Sequence, residues 1–319
     1  LDGLTKTFVP AKPRNDLDAA QLQVLCKTQK VWLQRKRDGQ RHLVLIDRKG
    51  RVHIYSRRMD EMTAHFPLFV KHLESLKLPR GTILDGEIII DHDGVDDFRA
   101  VGTITRSKPE KAAAREAVFM NAGELQYMVF DILWHHGAPT WQMSYGERYH
   151  TLSEMLEDMD HAVVFEAPLL VGNLDKWQAV ARREGWEGLV VWVCGEPTVV
   201  RDGGKPKRCN CVKWKPKMEQ DFIATGYYLG SGELSDVVGG FTIQEYAPDG
   251  SIRDCGKVGT GLDATMRKDA LKWKYPCVIA VEFDRQEPEG KLRFPVILKK
   301  HEDKTPDECV GKELSGDEE

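Results

Sequence analysis

The feature that most constrains the fold is a change in the pattern of strand-like and helix-like segments near residue 219. Before it, short apolar or alternating blocks are interspersed with amphipathic stretches; after it, five short β-like blocks with Gly-containing turns surround one helical stretch. The first pattern predicts an α+β unit, and the second is typical of a small Greek-key barrel of the OB type. A chain of 319 residues also exceeds what one hydrophobic core usually serves. We therefore predict two domains, residues 1–218 and 219–319, the second with an acidic C-terminal tail.

Period-two alternation and continuous apolar runs locate the strands, and amphipathic runs locate the helices. In the first domain, strands are predicted at VWLQRK, RHLVLID, RVHIYS, TILDGEIII, LQYMVFDIL, EGLVVWV and CVKWKPK, and helices at FPLFVKHLESL, ERYHTLSEMLEDM and NLDKWQAVARREG. SKPEKAAAREAV indicates a surface helix or a mobile loop. In the second domain, strands are predicted at DFIATGYYL, GGFTIQEYA, IRDCGKV, CVIAVEFD and LRFPVIL, and a helix at LDATMRKDALKWK.

Charge and cysteine content restrict the class of protein. A net charge of −4 argues mildly against a nucleic-acid partner, but residues 201–217 carry seven basic side chains against the single Asp202. Seven scattered cysteines fit reduced thiols better than a disulfide framework, and Cys209 and Cys211 are interpreted as strand residues, with metal binding unexpected. The sequence contains neither a signal-peptide pattern nor an apolar run of about 20 residues. We expect a cytoplasmic monomer that does not bind membranes.

The run KRDGQR, residues 36–41, has the form K-x-D-G-x-R. Alone it could be a hairpin turn, in which Asp-Gly is a favoured pair. Alternatively, Lys36 is a nucleophile, which requires that its amine, with an ordinary pKa of about 10.4, lose its proton. Neighbouring cations would favour this loss. Because Arg35 and Arg37 point to the opposite face of a strand, other lysines or a metal ion must contribute more.

Six further blocks follow in order: SRRM (56–59), LDGEI (84–88), YMVFDIL (127–133), EGLVV (187–191), VKWKP (212–216) and RFPVILKKHEDK (293–304). With KRDGQR they resemble the covalent nucleotidyltransferases, specifically ATP-dependent DNA ligases of the compact two-domain kind from bacteriophages and viruses. The resemblance runs from about residue 30 to about residue 305. It implies an adenylation domain of antiparallel sheets with helices, followed by an OB-fold barrel.

The resemblance also implies roles for individual residues. Lys36 would receive AMP, with Gln34 near the adenine amino group and Phe130 stacked on the ring. Glu87 would bind ribose or, with Glu187, a divalent metal ion. The remaining roles concern phosphates. Arg41 and Arg57 would contact the nucleotide or the 5′-phosphate of a nick, and Lys213 and Lys215, on the same face of one strand, would contact the α-phosphate. The pyrophosphate of ATP would be contacted by Arg293, Asp303 and Lys304.

Several residues keep a structural alternative. Glu87 and Glu187 could be surface carboxylates, although each adjoins an apolar strand segment, where an unpaired charge is costly. Phe130 could be a core aromatic. The two lysines could belong to a solvated strand face, and Asp303 and Lys304 to a disordered tail. The chain also departs from the family at two positions: many ligases have Glu where Gln34 stands, and often a basic residue where Trp192 stands.

The implied reaction is nick sealing in double-stranded DNA through lysyl-AMP, transfer of AMP to the 5′-phosphate and attack by the 3′-hydroxyl. ATP is the nucleotide, and Mg²⁺ is the expected ion, with Mn²⁺ possible. An RNA ligase or an mRNA guanylyltransferase shares this lysine chemistry and is the enzymatic alternative. The non-enzymatic alternative is a degenerate module that binds DNA ends; such a module would be expected to have lost some of Lys36, Glu87, Glu187 or Lys213, and all four are present.

Overall fold

The computed structural model describes residues 8–158, 162–198, 200–202 and 210–314. It divides into two compact units, Leu1–Trp214 and Lys215–Glu319. Three of the sequence features above lie outside the described residues: Cys209, most of the basic residues between 201 and 209, and the end of the acidic tail.

The first unit is α+β, as predicted, with mainly antiparallel strand pairs. Its strands are β1 (Phe8–Pro10), β2 (Val31–Lys36), β3 (Gln40–Ile46), β4 (Val52–Ser56), β5 (Thr82–His92), β6 (Val95–Asp96), β7 (Leu125–His135), β8 (Ala138–Pro139), β9 (Val164–Glu166), β10 (Gly188–Val193), β11 (Val200–Asp202) and β12 (Cys211–Trp214). Its helices are α1 (Ala19–Thr28), α2 (Pro67–Ser75), α3 (Phe98–Thr105), α4 (Pro109–Ala122), α5 (Tyr145–Leu156) and α6 (Leu174–Arg183). SKPEKAAAREAV therefore lies largely in a helix, α4.

A large sheet with the order β4-β3-β5-β7-β8 forms the centre of the first unit. β5 and β7 are buried along most of their length, as their apolar runs predict. Ile88 and Ile90 belong to the main core, which also contains Phe69 of α2 and Val101 of α3. Gly86 is needed at this point, because a Cβ there would lie 2.6 Å from the carbonyl oxygen of Met128 and from the Tyr127 ring.

A second, three-stranded sheet has the order β12-β10-β2 and is antiparallel throughout. Alternate residues give it two different faces. One face packs Leu33, Val191 and Val212 into an apolar cluster. On the opposite face, Trp192 packs with Tyr145 of α5. Lys36 ends β2, so this small sheet determines where its side chain lies.

The second unit is built on a five-stranded antiparallel sheet. Its elements are β13 (Met218–Leu229), β14 (Val238–Tyr246), β15 (Ile252–Val258), α7 (Ala264–Asp269), β16 (Cys277–Phe283), β17 (Arg285–Gln286), β18 (Leu292–Arg293) and β19 (Val296–Lys300). The order is β15-β14-β13-β16-β19, and a parallel bridge from Thr260 to Val296 links its two ends. The predicted strand-rich second domain is thus present, and its assignment to the OB type stays a prediction.

Two segments differ from the predicted strands. LRFPVIL is not one strand: β18 ends at Arg293 and β19 begins at Val296. Phe294, between them, has a φ of 52°, and Pro295 has no backbone N–H for a strand ladder. The CVKWKPK strand also ends early, at Trp214, so Lys215 is not on it.

The six described cysteines, Cys26, Cys194, Cys211, Cys255, Cys277 and Cys309, are free thiols. None of the helices in the described ranges combines the length and the apolar character needed to cross a membrane.

Candidate active site

The centre of the site is an ion pair between Lys36 and Glu187. Lys36 lies opposite Gly188 in the β2–β10 register, which brings the preceding residue, Glu187, next to the lysine. The Lys36 Nζ donates a hydrogen bond to Glu187 Oε2. The two side chains are 23% and 15% exposed, which leaves the pair open to a small molecule. The structure therefore brings together a lysine and a carboxylate that are far apart in sequence.

Acidic side chains surround Lys36, whereas neighbouring cations were expected to help a nucleophilic lysine lose its proton. Burial lowers the pKa of Lys36, but the carboxylates of Glu187 and Glu87 outweigh burial and raise it. Burial and the charge of Glu187 raise the pKa of Glu87 to about 8, although Lys36 acts against them. At neutral pH Lys36 is thus an ammonium group beside the Glu187 carboxylate and a Glu87 carboxyl that is largely protonated, and loss of its proton requires positive charge from a bound partner.

Arg35 and Arg37, next to Lys36, anchor its turn to the β5–β6 hairpin. Arg37 Nε donates to Asp96 Oδ1 at 2.7 Å, and a second nitrogen of Arg37 pairs with Asp91. Asp96 also accepts from the backbone N–H of Asp38 at 2.9 Å and lies 3.5 Å from Arg35 Nη2. These residues hold the strand end that presents Lys36. Sequence reasoning missed them because their carboxylate partners are more than fifty residues away.

Arg41 is held inside the protein. It forms a two-point pair with Asp85, with Nε 2.8 Å from Oδ1, and Nη1 donates to the Ala11 carbonyl oxygen at 2.9 Å. Its guanidinium also lies over the Phe130 ring, 5.5 Å from the centroid. Arg57 is exposed, and partial desolvation together with the charge of the nearby Arg41 lowers its pKa. Arg57 is therefore more accessible to a phosphate than Arg41.

Gln34 lies on the same face of β2 as Lys36 and is 2% exposed. Its Oε1 accepts from the Trp192 indole N–H at 2.8 Å, and its Nε2 donates to the Tyr145 hydroxyl and the Ala167 carbonyl oxygen, both at 3.1 Å. Tyr145 and Trp192 are stacked with ring centroids 4.0 Å apart, and the partly buried Phe130 is 6.1 Å from Trp192. The two positions that depart from the family pattern, Gln34 and Trp192, are thus in direct contact.

The two lysines near the end of the first unit have different positions. Lys213 is on β12, opposite Val190 of β10, which is itself opposite Gln34 of β2. Lys213 therefore shares a sheet face with Lys36. Lys215 follows the strand and lies 3.8 Å from Asp284. The expectation that both lysines share one strand face is wrong, because β12 ends at Trp214.

The three candidate residues of the second unit are near its surface. Arg293 ends β18, is 40% exposed and lies 3.9 Å from Glu287. Asp303 is 85% exposed. Lys304 pairs with Asp221 of β13, which also lies 2.9 Å from His301 Nε2.

Comparisons with known proteins point in one direction. Residues 17–193 match the family model described as the ATP dependent DNA ligase domain. A DNA ligase 2 from Methanosarcina mazei is 27% identical over 88% of this chain and 53% of its own length, and a DNA ligase from Haloarcula marismortui is 29% identical over 85% and 51%. The chain thus spans about half the length of these relatives.

Among solved structures, the ligase domain of M. tuberculosis LigD is similar in fold. It aligns with a TM-score of 0.52 at 22% identity, covering 96% of this chain and 99% of that domain.

Proposed function

The chain belongs to the family of ATP-dependent DNA ligase domains, and on that premise we propose that it seals nicks in duplex DNA with ATP. Residues 17–193 carry the family match, and KRDGQR and EGLVV both fall within it. The observation that carries the proposal is that Lys36, the only lysine in KRDGQR, meets Glu187 of EGLVV at the junction of β2 and β10. In the proposed organisation, residues 1–218 form the adenylation domain and residues 219–319 the OB-fold domain.

In the first step, the Lys36 amine forms a bond to the α-phosphorus of ATP, and the bond from that phosphorus to pyrophosphate breaks. The amine must lose a proton, and Glu187, which already accepts a hydrogen bond from Nζ, is positioned to take it. Gln34 lies on the sheet face that carries Lys36, and Phe130 of β7 packs near Trp192 on the same face, where the adenine would lie. We assign the α-phosphate to Lys213, which shares a sheet face with Lys36. On the family resemblance alone, we also propose that Lys215 acts on the α-phosphate, and Arg293, Asp303 and Lys304 on the pyrophosphate.

In the second step, the 5′-phosphate at the nick attacks the lysyl-AMP phosphorus, which restores Lys36 and leaves an adenylated DNA end. In the third, the 3′-hydroxyl attacks the 5′-phosphorus, the strands are joined and AMP leaves. We assign the 5′-phosphate to Arg57, since its guanidinium is exposed and Arg41 is already paired with Asp85. Transfers of this kind depend on positioning and charge stabilisation.

Glu87 and Glu187 fit a divalent cation. Both lie close enough to Lys36 to raise its pKa, and each contributes oxygen, the ligand atom that Mg²⁺ prefers. No cluster of three or more potential metal ligands occurs in the described ranges, so water and phosphate oxygens would complete the shell. When bound, Mg²⁺ would supply positive charge that lowers the pKa of Lys36 and stabilises the phosphates.

The decisive experiment is covalent labelling with ATP radiolabelled at the α-phosphate. We expect the unsubstituted protein to become labelled and Lys36→Ala not to. Lys30→Ala, at an exposed lysine just before β2, serves as the control and should be labelled normally. Persistent labelling of Lys36→Ala would overturn the assignment.

Two further measurements test the substrate. Labelling with GTP in place of ATP would indicate a guanylyltransferase. Nicked DNA and a nicked RNA–DNA hybrid, compared on a gel, separate a DNA ligase from an RNA ligase; we expect the DNA to be sealed faster. Because contacts with DNA phosphates release counterions, sealing at limiting DNA should weaken as salt rises.

A further inference from the structure

The orientation of the buried Gln34 amide follows from the chemistry of its three partners. An indole N–H can only donate, so Trp192 must face Oε1, and a backbone carbonyl can only accept, so Ala167 must face Nε2. The Tyr145 hydroxyl donates its single hydrogen to the Phe130 carbonyl oxygen at 2.9 Å. Tyr145 can therefore only accept from Gln34, at Nε2. All three partners require the same orientation.

These contacts leave one hydrogen-bonding position on the amide. A glutamine side chain has two donor hydrogens and two acceptor lone pairs. Tyr145 and Ala167 take both hydrogens of Gln34, and Trp192 takes one lone pair of Oε1. The remaining position is an acceptor. Reversing the amide would break all three hydrogen bonds at a site that is 2% exposed, so Gln34 cannot offer a donor there.

The unused acceptor of Gln34 is on the strand face that carries Lys36, beside where the base of a nucleotide attached to Lys36 would lie. Gln34 and Lys36 point to the same side of β2, and alternate strand residues are about 7 Å apart. We propose that Trp192 and Tyr145 are positioning residues that hold Gln34 as an acceptor and so select a nucleobase with an exocyclic amine. A base with a keto oxygen at that position would place two acceptors against each other. This inference rests on the proposed function.

A glutamate would not fit the same surroundings. In Gln34→Glu, an oxygen replaces Nε2 and faces the Ala167 carbonyl oxygen and a tyrosine hydroxyl that is already donating elsewhere. Both donated hydrogen bonds would be lost, and acceptors would be left facing each other in a buried site. We therefore expect this variant to be less stable than the unsubstituted protein, even though glutamate retains the acceptor.

The test measures formation of the covalent nucleotide adduct by intact-protein mass spectrometry, with ATP and with inosine triphosphate, which has a keto oxygen in place of the amine. Trp192→Phe removes the indole N–H and keeps an aromatic ring. Without the indole N–H, the Gln34 Oε1 loses the partner that fixes its position, so ATP should react more slowly. We expect the ratio of the ATP rate to the inosine triphosphate rate to fall by at least about tenfold. Trp177→Phe is the matched control, since the Trp177 N–H donates to the Val171 carbonyl oxygen, and should keep the original ratio.

A second variant distinguishes a loss of nucleotide selectivity from misfolding. The pair Gln34→Leu with Trp192→Phe removes both ends of the Gln34–Trp192 hydrogen bond and places no new acceptor against Ala167, whose carbonyl oxygen keeps a hydrogen bond from the Tyr149 hydroxyl at 2.8 Å. It should fold, as judged by thermal denaturation, and should use the two nucleotides at similar rates.

An unchanged ratio in Trp192→Phe would overturn the inference, as would an equal loss of rate with both nucleotides, which indicates only a packing role. Full stability of Gln34→Glu would also contradict it. If the unsubstituted protein formed an adduct with neither nucleotide, the proposed function would fail as well, so the two failures are distinguishable.

Discussion

At the scale of single residues, buried neutral groups determine how the protein responds to acid. His42 of β3 is 1% exposed, and its Nδ1–H donates to the Gln40 carbonyl oxygen at 2.9 Å. Burial lowers the pKa of His42 to about 4 from an ordinary value of 6.5. The folded protein therefore keeps this ring neutral under conditions in which the unfolded chain protonates it.

His42 should make the protein sensitive to acid. Between about pH 6.5 and about pH 4, His42 is protonated in the unfolded chain but not in the folded state. The free energy of unfolding therefore decreases as pH falls through this range. The shift corresponds to roughly 3 kcal/mol at the acid end. His42→Gln should lose less stability over this range when melting temperatures are compared. His150→Gln, at a histidine that is 74% exposed, should melt like the unsubstituted protein at each pH; equal acid sensitivity of His42→Gln and the unsubstituted protein would contradict the prediction.

At the scale of secondary-structure elements, the β5–β6 hairpin supports the strand that carries Lys36. Asp96 holds Arg37 and the backbone of Asp38, while Lys36 itself points to the other side, toward Glu187. The hairpin contacts the residues that follow Lys36, so under the proposed function its contribution is to position the lysine.

Asp96→Asn should loosen this support without removing any group from the reaction. Losing a charged acceptor leaves Arg37 incompletely paired, at a cost of about 1–3 kcal/mol. We expect slower formation of the covalent adduct, by about tenfold, because small displacements of a nucleophile reduce rates strongly. Asp93→Asn is the control: Asp93 is exposed on the same hairpin, and asparagine tolerates its φ of 52°. Equal adduct rates in the two variants would argue against a positioning role.

The turn between β2 and β3 should tolerate no side chain at Gly39. A Cβ there would lie 2.3 Å from the Ile88 carbonyl oxygen and 2.6 Å from Ile89 Cγ2. Because the Ile88 oxygen belongs to the backbone of a central strand, it cannot move aside, and Gly39→Ala should destabilise the protein by about 1–3 kcal/mol. Gly195→Ala, where a Cβ would meet nothing within 4 Å, should leave the midpoint of urea unfolding nearly unchanged. The prediction fails if both variants unfold at the same urea concentration.

Sequence patterns predicted the elements better than the contacts between them. The strand that ends at Lys36 follows from VWLQRK, and β5 and β7 follow from their apolar runs. The partners of Arg37 and Gln34 could not be predicted, since they depend on how distant strands and loops pack. Lys215 shows the same limit on a smaller scale: period-two spacing suggested a shared strand face, but spacing does not show where a strand stops.

At the scale of the whole molecule, each unit has its own apolar core. Ile54 is fully buried in the main core of the first unit. Phe241 is fully buried in the second, stacked on Trp273 with ring centroids 5.3 Å apart. Each unit therefore has the means to unfold separately.

Calorimetry should resolve two unfolding transitions. Ile54→Ala and Phe241→Ala each remove a fully buried side chain, which costs about 2–5 kcal/mol, so each should lower a different transition by several degrees, about 5 °C or more. A single transition that both variants lower equally would show that the units unfold together.

The pairing of β2 with β10 has a consequence for synthesis of the protein. Lys36 and Glu187 are 151 residues apart in sequence. A ribosome-bound chain that has not yet been extended to Glu187 and β10 already contains the lysine, but it lacks both the carboxylate and the neighbouring strand. If Lys36 is the nucleophile, as proposed, it is made early, and the Glu187 side of its site forms only when β10 pairs with β2.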